Sequence, residues 1–236
     1  MVLARVGQPT RAHEFVKGIV RSKRIKLMKL YLSSHRIPNI ESFSDFVGKS
    51  PHEIKMGLVL NAKDDRSSEY RAEKRDELFK YFSDFGFKIE EIDLRDYADN
   101  PKDLSDKLKN FDVVWFNGGN IYSLKEAIDK SKSKDIIRDV FNIDVIYAGD
   151  SAGSIIVGPT LKHFDKVDTP NNPSQGVAYE GLHFIDFVII PHWNSEKFGE
   201  ISKTIKKELE EEGYKTIELK DDEFLLVDNG KVIKNG

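Results

Sequence analysis

The chain of 236 residues contains no cysteine. That absence excludes disulfide bonds, thiolate zinc sites, iron–sulfur clusters and a cysteine nucleophile. It is consistent with a reducing compartment, and we expect a cytoplasmic protein. Long apolar runs are also missing, because the longest, such as 187–190, hold only a few residues, whereas a membrane span needs roughly 20. We therefore expect no membrane association.

Strong net charge is absent as well. The 37 lysines and arginines nearly balance the 40 aspartates and glutamates, giving a formal charge of −3. A surface of this kind is well solvated but carries no overall attraction for nucleic acid, so we expect no nucleic-acid partner. Apolar residues make up 39% of the chain, less than the roughly 45–50% of a typical globular domain.

Basic residues are concentrated in the first 27 positions, which carry a single acid, Glu14. This stretch lacks the apolar core of a secretory signal. It is typical of a leader, of a basic targeting arm, or of sequence upstream of a natural start at Met28. We therefore predict a basic extension over residues 1–27 and one α/β domain over residues 28–236.

From Met28 onward, short apolar strands alternate with amphipathic helices. Strands are predicted at 30–33, 56–60, 87–94, 112–116, 145–147 and 187–190, and helices at 69–85, after Asn120, and at 195–212. This alternation predicts a mostly parallel central sheet flanked by helices in three layers. The Asn229-Gly230 pair predicts a C-terminal β-hairpin that extends the sheet.

The most informative motif is Gly149-Asp150-Ser151-Ala152-Gly153, which follows a short buried strand. Small residues on both sides of the serine permit the strained strand-to-helix turn of a nucleophile elbow. The backbone N–H of Ala152 would then be one donor to an oxyanion. The alternative is a glycine-rich turn that contains a serine by chance.

Asn117-Gly118-Gly119-Asn120 follows another buried strand. In an open parallel sheet, ligands bind beyond the carboxyl ends of the strands, so this loop and the elbow should share one edge. The N–H of Gly119 is the candidate for the second oxyanion donor. The alternative is an ordinary turn in which Asn120 caps the following helix.

His192 comes directly after the buried strand 187–190 and is expected at the same edge. An imidazole there could take the serine proton and return it to a leaving amine. The alternative is a histidine bonded only to the backbone. A third residue must orient the ring, and Asp165 and Asp168, in the long loop between Ser151 and His192, are both candidates.

These three motifs, in this order, resemble the serine peptidase family of dipeptidase E, the aspartyl dipeptidases, with cyanophycinase as a more distant member. The resemblance runs from about residue 28 to the C-terminus and is best over 117–124, 146–161 and 181–194. It implies a fold like that of class I glutamine amidotransferases, whose sites place a cysteine at the position of Ser151.

The resemblance also implies roles for individual residues. Ser151 would be the nucleophile, His192 the general base and Asp168, preferred over Asp165, the third member of a triad. The oxyanion and substrate-binding loop would comprise Gly118, Gly119, Asn120 and Ala152. No metal or organic cofactor is implied.

By the same resemblance, the substrates would be short peptides with an N-terminal acidic residue, and the protein would be a monomer or homodimer. The alternatives are an esterase or amidase of the same architecture and a catalytically inactive binding protein. Two residues depart from the family pattern: Ile121, where threonine is common, and Asp150 beside the nucleophile. A carboxylate at 150 would favour the charged form of a nearby imidazole or repel an acidic substrate.

Overall fold

A computed structural model describes residues 14–15, 28–141, 145–171, 174 and 176–236. The predicted basic extension lies almost wholly outside these residues. Its two described residues, Glu14–Phe15, form strand β1, which pairs with the last strand of the chain.

The central sheet has eight strands in the order β1-β10-β9-β2-β6-β5-β3-β4. The strands β2, β6, β5, β3 and β4 run parallel, and β9 joins β2 antiparallel. Their bounds are β2 Lys29–Ser33, β3 Lys55–Val59, β4 Lys88–Ile92, β5 Val113–Phe116, β6 Ile146–Asp150, β9 Phe224–Asp228 and β10 Lys231–Asn235. The predicted α/β class and the extension of the sheet by the C-terminal hairpin are confirmed.

Seven α-helices occur within the described residues. They are α1 Ile40–Val47, α2 Ser68–Asp84, α3 Pro101–Leu108, α4 Ile121–Lys130, α5 Lys134–Phe141, α6 Ala152–Ile155 and α7 Gly199–Glu211. None of the helices in this part of the chain has the length and apolar character to cross a bilayer.

Both faces of the sheet are buried, as the three-layer prediction requires. Alternate residues such as Tyr31, Leu58 and Trp115 pack with α1 and α2, while Leu32, Phe116 and Tyr147 belong to the larger core on the opposite face. A strand with both faces covered reads as a continuous apolar run, which is why β5 and β6 are recognisable in the sequence.

The strand after the long loop does not join this sheet. Strand β7, Val188–Ile190, pairs in parallel with β8, Thr216–Glu218, in a separate two-stranded sheet. The expectation that His192 follows a strand of the main sheet is therefore wrong. A buried apolar run predicts a strand but contains no information about its hydrogen-bonded neighbour.

The close packing of α6 on β5 leaves no room for a side chain at Gly153. A Cβ atom placed there would lie 1.9 Å from the carbonyl oxygen of Phe116. We expect Gly153→Ala to lower the free energy of unfolding by about 1–3 kcal/mol, the usual range for overpacking. Urea denaturation measures it.

The control for this change is Gly213→Ala. Gly213 has φ +86° and open space around its Cα, so alanine there meets only backbone strain, on the order of 1 kcal/mol. A loss at Gly153 no larger than at Gly213 would contradict the packing argument.

Candidate active site

Ser151 lies at the turn between β6 and α6 with φ 47° and ψ −112°. A non-glycine residue in this region costs on the order of 1–3 kcal/mol and persists only where its surroundings hold it. The Oγ of Ser154 lies 2.7 Å from the carbonyl oxygens of both Ser33 and Gly149, which share its single O–H as a donor. These bonds tie the turn to the neighbouring strand β2.

His192 faces Ser151 directly. Its Nε2 lies 3.0 Å from the Oγ of Ser151, and its backbone N–H donates to the Oγ of Ser34 at 2.7 Å. The ring also packs on Phe198, with 5.2 Å between ring centroids. The structure thus brings together the serine and the histidine that the sequence singles out.

Asp221 occupies the other side of the imidazole. Its Oδ1 lies 2.6 Å from the Nδ1 of His192 and accepts a hydrogen bond from the Oγ of Ser34 at 2.9 Å. An ionised Asp221 requires the proton on Nδ1, which leaves Nε2 free to accept the hydroxyl proton of Ser151.

The charge state of Asp221 follows from these contacts. Partial burial opposes ionisation, but the hydrogen bonds from His192 and Ser34 outweigh it and lower the pKa of this carboxyl below its usual value. Asp221 is therefore an anion at neutral pH.

Asp168 does not contact His192 through a hydrogen bond, contrary to the expectation that it is the third residue of the site. Its Oδ2 accepts the N–H of Ile121 at 2.9 Å, at the first turn of α4. Burial raises its pKa to about 6, Asp65 adds to the increase, and the Ile121 hydrogen bond opposes it. The other candidate, Asp165, is exposed.

The position of Asp221 follows from the parallel pairing of β7 and β8. The N–H of Leu219 donates to Ile190 at 2.9 Å, and the N–H of Trp193 donates to Leu219 at 2.9 Å. Residues that follow two parallel neighbours meet at one edge, which sets His192 beside Asp221. The sequence signal that could have indicated Asp221 is the short strand-like run 216–219, which is followed directly by an acidic turn.

The glycine loop lies beside the serine. A Cβ on Gly118 would lie 3.0 Å from the Cβ of Ser151, and one on Gly119, which has φ 151°, would lie 2.3 Å from the carbonyl oxygen of Ala62. Within the described ranges, the backbone N–H groups of Gly119 and Ala152 have no hydrogen-bond acceptor. Both are available to an oxyanion.

Gly118 and Asn120 have other partners. The N–H of Gly118 donates to Asp150 at 3.2 Å. Asn120 caps α4, because its Oδ1 accepts the N–H groups of Tyr122 and Ser123. Both residues line the cavity, and the oxyanion and substrate-binding role expected of them stays a prediction.

Ser151, His192, Asp168 and the loop 117–120 border one cavity of about 460 Å³, a size within the usual range of small-ligand pockets. Charged side chains of both signs line it: Arg36, Lys63, Asp65, Arg66, Lys74, Glu77, Asp150 and Asp168. No group of three or more histidine, aspartate or glutamate side chains in the described part of the chain could hold a metal ion.

Comparison with known proteins places these motifs in a family. The family described as "Peptidase family S51" matches residues 39–235. "Uncharacterized peptidase Lmo0363" of Listeria monocytogenes is 26% identical over 129 residues, which is 55% of this chain and 62% of that protein. "Peptidase E" of Nostoc sp. is 30% identical over 118 residues, 49% of this chain and 44% of that protein.

Solved structures give the same fold. A Listeria monocytogenes EGD-e protein assigned to peptidase E has a TM-score of 0.73 at 21% identity, covering 88% of this chain and 98% of that one. A peptidase from an acI-B1 Actinobacterium has a TM-score of 0.65 at 18% identity, covering 89% and 88%. The first two curated relatives are each matched over about 60% of their length.

The environment of Asp168 predicts a pH-dependent loss of stability. Its folded pKa of about 6 exceeds the ordinary value of 3.8, so the unfolded chain releases this proton first as the pH rises. Its contribution to stability is therefore full below about pH 4 and is lost by about pH 6. Asparagine at 168 keeps an oxygen for the Ile121 N–H and does not ionise.

We expect Asp168→Asn to unfold with a free energy on the order of 2–3 kcal/mol above wild type at pH 7, and with no difference near pH 3. Denaturant titration at both pH values measures this. Asp165→Asn, which changes the exposed acid nearby, is the control. Equal stability of Asp168→Asn and wild type at pH 7 would contradict the assignment.

Proposed function

Because the chain belongs to peptidase family S51, we propose that it is a serine-type peptidase in which Ser151, His192 and Asp221 form the catalytic triad. The observation that carries the proposal is the continuous hydrogen-bonded path from the Oγ of Ser151 through the imidazole to the Oδ1 of Asp221. A catalytically inactive binding protein has no need of this alignment.

In the proposed reaction, Ser151 attacks the scissile carbonyl while the Nε2 of His192 takes its proton. The N–H groups of Gly119 and Ala152 hold the oxyanion, and the N-terminus of α6 favours the same negative charge. His192 then protonates the leaving amine, and water cleaves the acyl-enzyme. Asp221 holds the ring in the required tautomer and stabilises the imidazolium.

The proposed substrates are short peptides, and the enzyme is proposed to be a dipeptidase that releases N-terminal acidic residues. The volume of the cavity, about 460 Å³, supports a small substrate. Arg36 and Lys74 line the cavity together with Glu77 and both contact its carboxylate, while Lys74 also lies 4.0 Å from the exposed Glu73, outside the cavity lining. The cavity lining at this corner therefore has two cations and one carboxylate, and Arg36 is the cation proposed to bind a substrate carboxylate.

The triad can be tested with Ser151→Ala and Asp221→Asn. The first variant lacks the nucleophile and is expected to be inactive. The second leaves the imidazole in the wrong tautomer, which reduces kcat by about 10³–10⁴-fold in triads of this kind. Hydrolysis of an Asp-linked chromogenic amide measures both.

Asp222→Asn, at the neighbouring exposed position, is the matched control and is expected to retain wild-type kcat. Undiminished activity of Ser151→Ala would exclude the nucleophile. If Asp168→Asn lost activity while Asp221→Asn kept it, the third residue would be Asp168.

Substrate preference can be measured with a dipeptide library and an aryl acetate in parallel. We expect Asp-Xaa peptides to be cleaved faster than Asn-Xaa peptides, and Arg36→Gln to reduce that ratio about 10-fold or more, because the paired cation is lost. Arg138→Gln, a surface change outside the cavity, should leave the ratio unchanged.

Rapid turnover of the aryl acetate with no dipeptide cleaved would favour the esterase or amidase alternative. An unchanged Asp-to-Asn ratio in Arg36→Gln would remove the Arg36 corner from substrate recognition while leaving the triad proposal intact.

A further inference from the structure

The carboxylate next to the nucleophile is turned away from the imidazole and toward the loop after β5. The Oδ1 of Asp150 accepts three hydrogen bonds: from Trp115 Nε1 at 2.7 Å, Asn117 Nδ2 at 2.9 Å and the N–H of Gly118 at 3.2 Å. Asp150 is only 5% exposed. No cation of the described residues lies within 4 Å of its carboxylate.

A buried carboxylate without a paired cation is expensive unless hydrogen bonds replace its hydration. Here all three donors belong to one segment, 115–118, so the charge is stabilised only when that segment holds one conformation. Asp150 therefore holds the end of β5 and the first residues after it in one conformation.

Lys63 contacts the same loop through the following peptide group. Its Nζ donates to the carbonyl oxygen of Gly118 at 2.5 Å, and no carboxylate of the described residues lies within 4 Å of it. Burial is the main cause that lowers the pKa of this lysine, and Asp150 opposes the decrease. Because Lys63 has no ion-pair partner within the described residues, its contact with the Gly118 carbonyl indicates a role in holding the glycine loop.

The backbone at Lys63 is held in place by its neighbours. It ends the short 3₁₀ helix Asn61–Lys63. The buried side chain of Asn61 donates to Asp64 at 2.8 Å and Asp93 at 2.9 Å, and accepts the N–H of Leu94 at 3.1 Å.

The geometry of the peptide bond connects Lys63 to the candidate oxyanion donor. The carbonyl of Gly118 and the N–H of Gly119 belong to one planar trans peptide and point in opposite directions. Fixing the carbonyl on Lys63 therefore fixes the direction of the Gly119 N–H. A charged donor on the carbonyl also polarises the amide and strengthens its N–H as a donor.

We infer that Lys63 and Asp150 are positioning residues that hold the Gly118–Gly119 segment between them and aim the Gly119 N–H at the oxyanion. The inference rests on the proposed function, since it requires Ser151 to be the nucleophile. Neither side chain is assigned a contact with the substrate. Their effect is on the step in which negative charge develops, and therefore on kcat.

The test uses Lys63→Met, which keeps most of the side-chain length and removes the donor, and Lys63→Arg, which restores one. We expect Lys63→Met to lower kcat by about 10- to 100-fold, less than the loss of an oxyanion donor outright, with KM changed by less than about threefold. Lys63→Arg should recover part of kcat. Asp150→Asn should also lower kcat, because an amide accepts the three bonds less strongly than a carboxylate.

The second readout does not depend on the peptide substrate. A fluorophosphonate probe reacts with a nucleophilic serine by forming a P–O bond and releasing fluoride, and negative charge develops on its phosphoryl oxygen, which uses the same oxyanion donors. The labelling rate of Ser151 should therefore fall in parallel with kcat. Thermal unfolding of each full-length variant reports whether it is folded. Should Lys63→Met fail to fold, Asp150→Asn tests the inference by itself, and wild-type kcat and labelling in that variant would overturn it.

Two matched controls make the same chemical changes away from the cavity. Lys29 donates to the carbonyl of Phe46 at 2.6 Å, and Asp112 accepts the N–H of Lys55 at 2.9 Å. Lys29→Met and Asp112→Asn should leave kcat and the labelling rate unchanged.

The outcomes are distinguishable. Wild-type labelling and kcat in both Lys63→Met and Asp150→Asn would overturn the inference while leaving the proposed function in place. A change confined to KM in Lys63→Met would make Lys63 a substrate contact and would also overturn it. If Ser151 of the wild-type protein reacted with neither probe nor substrate, the proposed function would fail, and this inference with it.

Discussion

The site depends on the backbone at Ser151, which is held in a conformation that an isolated serine avoids. Three close contacts keep it there. Gly153 packs against the carbonyl of Phe116, Gly149 packs against Gly153, and Ser154 bridges to β2. Because the strain is offset by packing between β2, β5 and β6, the position of the hydroxyl depends on the centre of the main sheet.

Three acids around the cavity have different roles because their surroundings differ. Asp221 receives donors from His192 and Ser34 and is anionic. Asp168 is partly buried near Asp65 and accepts a hydrogen bond from one backbone N–H, and its pKa is raised to about 6. Asp150 is buried, and its carboxylate accepts hydrogen bonds from three neutral donors. Environment rather than residue type decides which carboxylate orients the imidazole.

The fold and half of the site follow from local sequence patterns. The buried segments 113–116 and 145–148 are continuous apolar runs, and the motifs that follow them contain the glycine loop and Ser151. Since residues after parallel strands meet at one edge, their proximity could be predicted without coordinates.

The third residue could not be predicted in the same way. Asp221 lies in a polar turn, and an acidic turn is ordinarily solvated. Its assignment requires the pairing of β7 with β8, a tertiary fact that neither strand's own pattern contains. The resemblance favours Asp168 by its offset from Ser151, but its carboxylate accepts the N–H of Ile121 and makes no hydrogen bond to His192. The role of Asn120 as a helix cap was among the alternatives that the sequence left open.

The division of the strands into two sheets has a consequence for how the site assembles. The proposed nucleophile, Ser151, follows a strand of the eight-stranded sheet, while the proposed base and acid, His192 and Asp221, follow the two strands β7 and β8 of the smaller sheet. Ser34, at the end of β2, spans the boundary by binding both the backbone of His192 and the carboxylate of Asp221. The proposed triad therefore depends on the contact between the two sheets. A local opening of the smaller sheet would separate His192 and Asp221 from Ser151 while the larger sheet stayed folded.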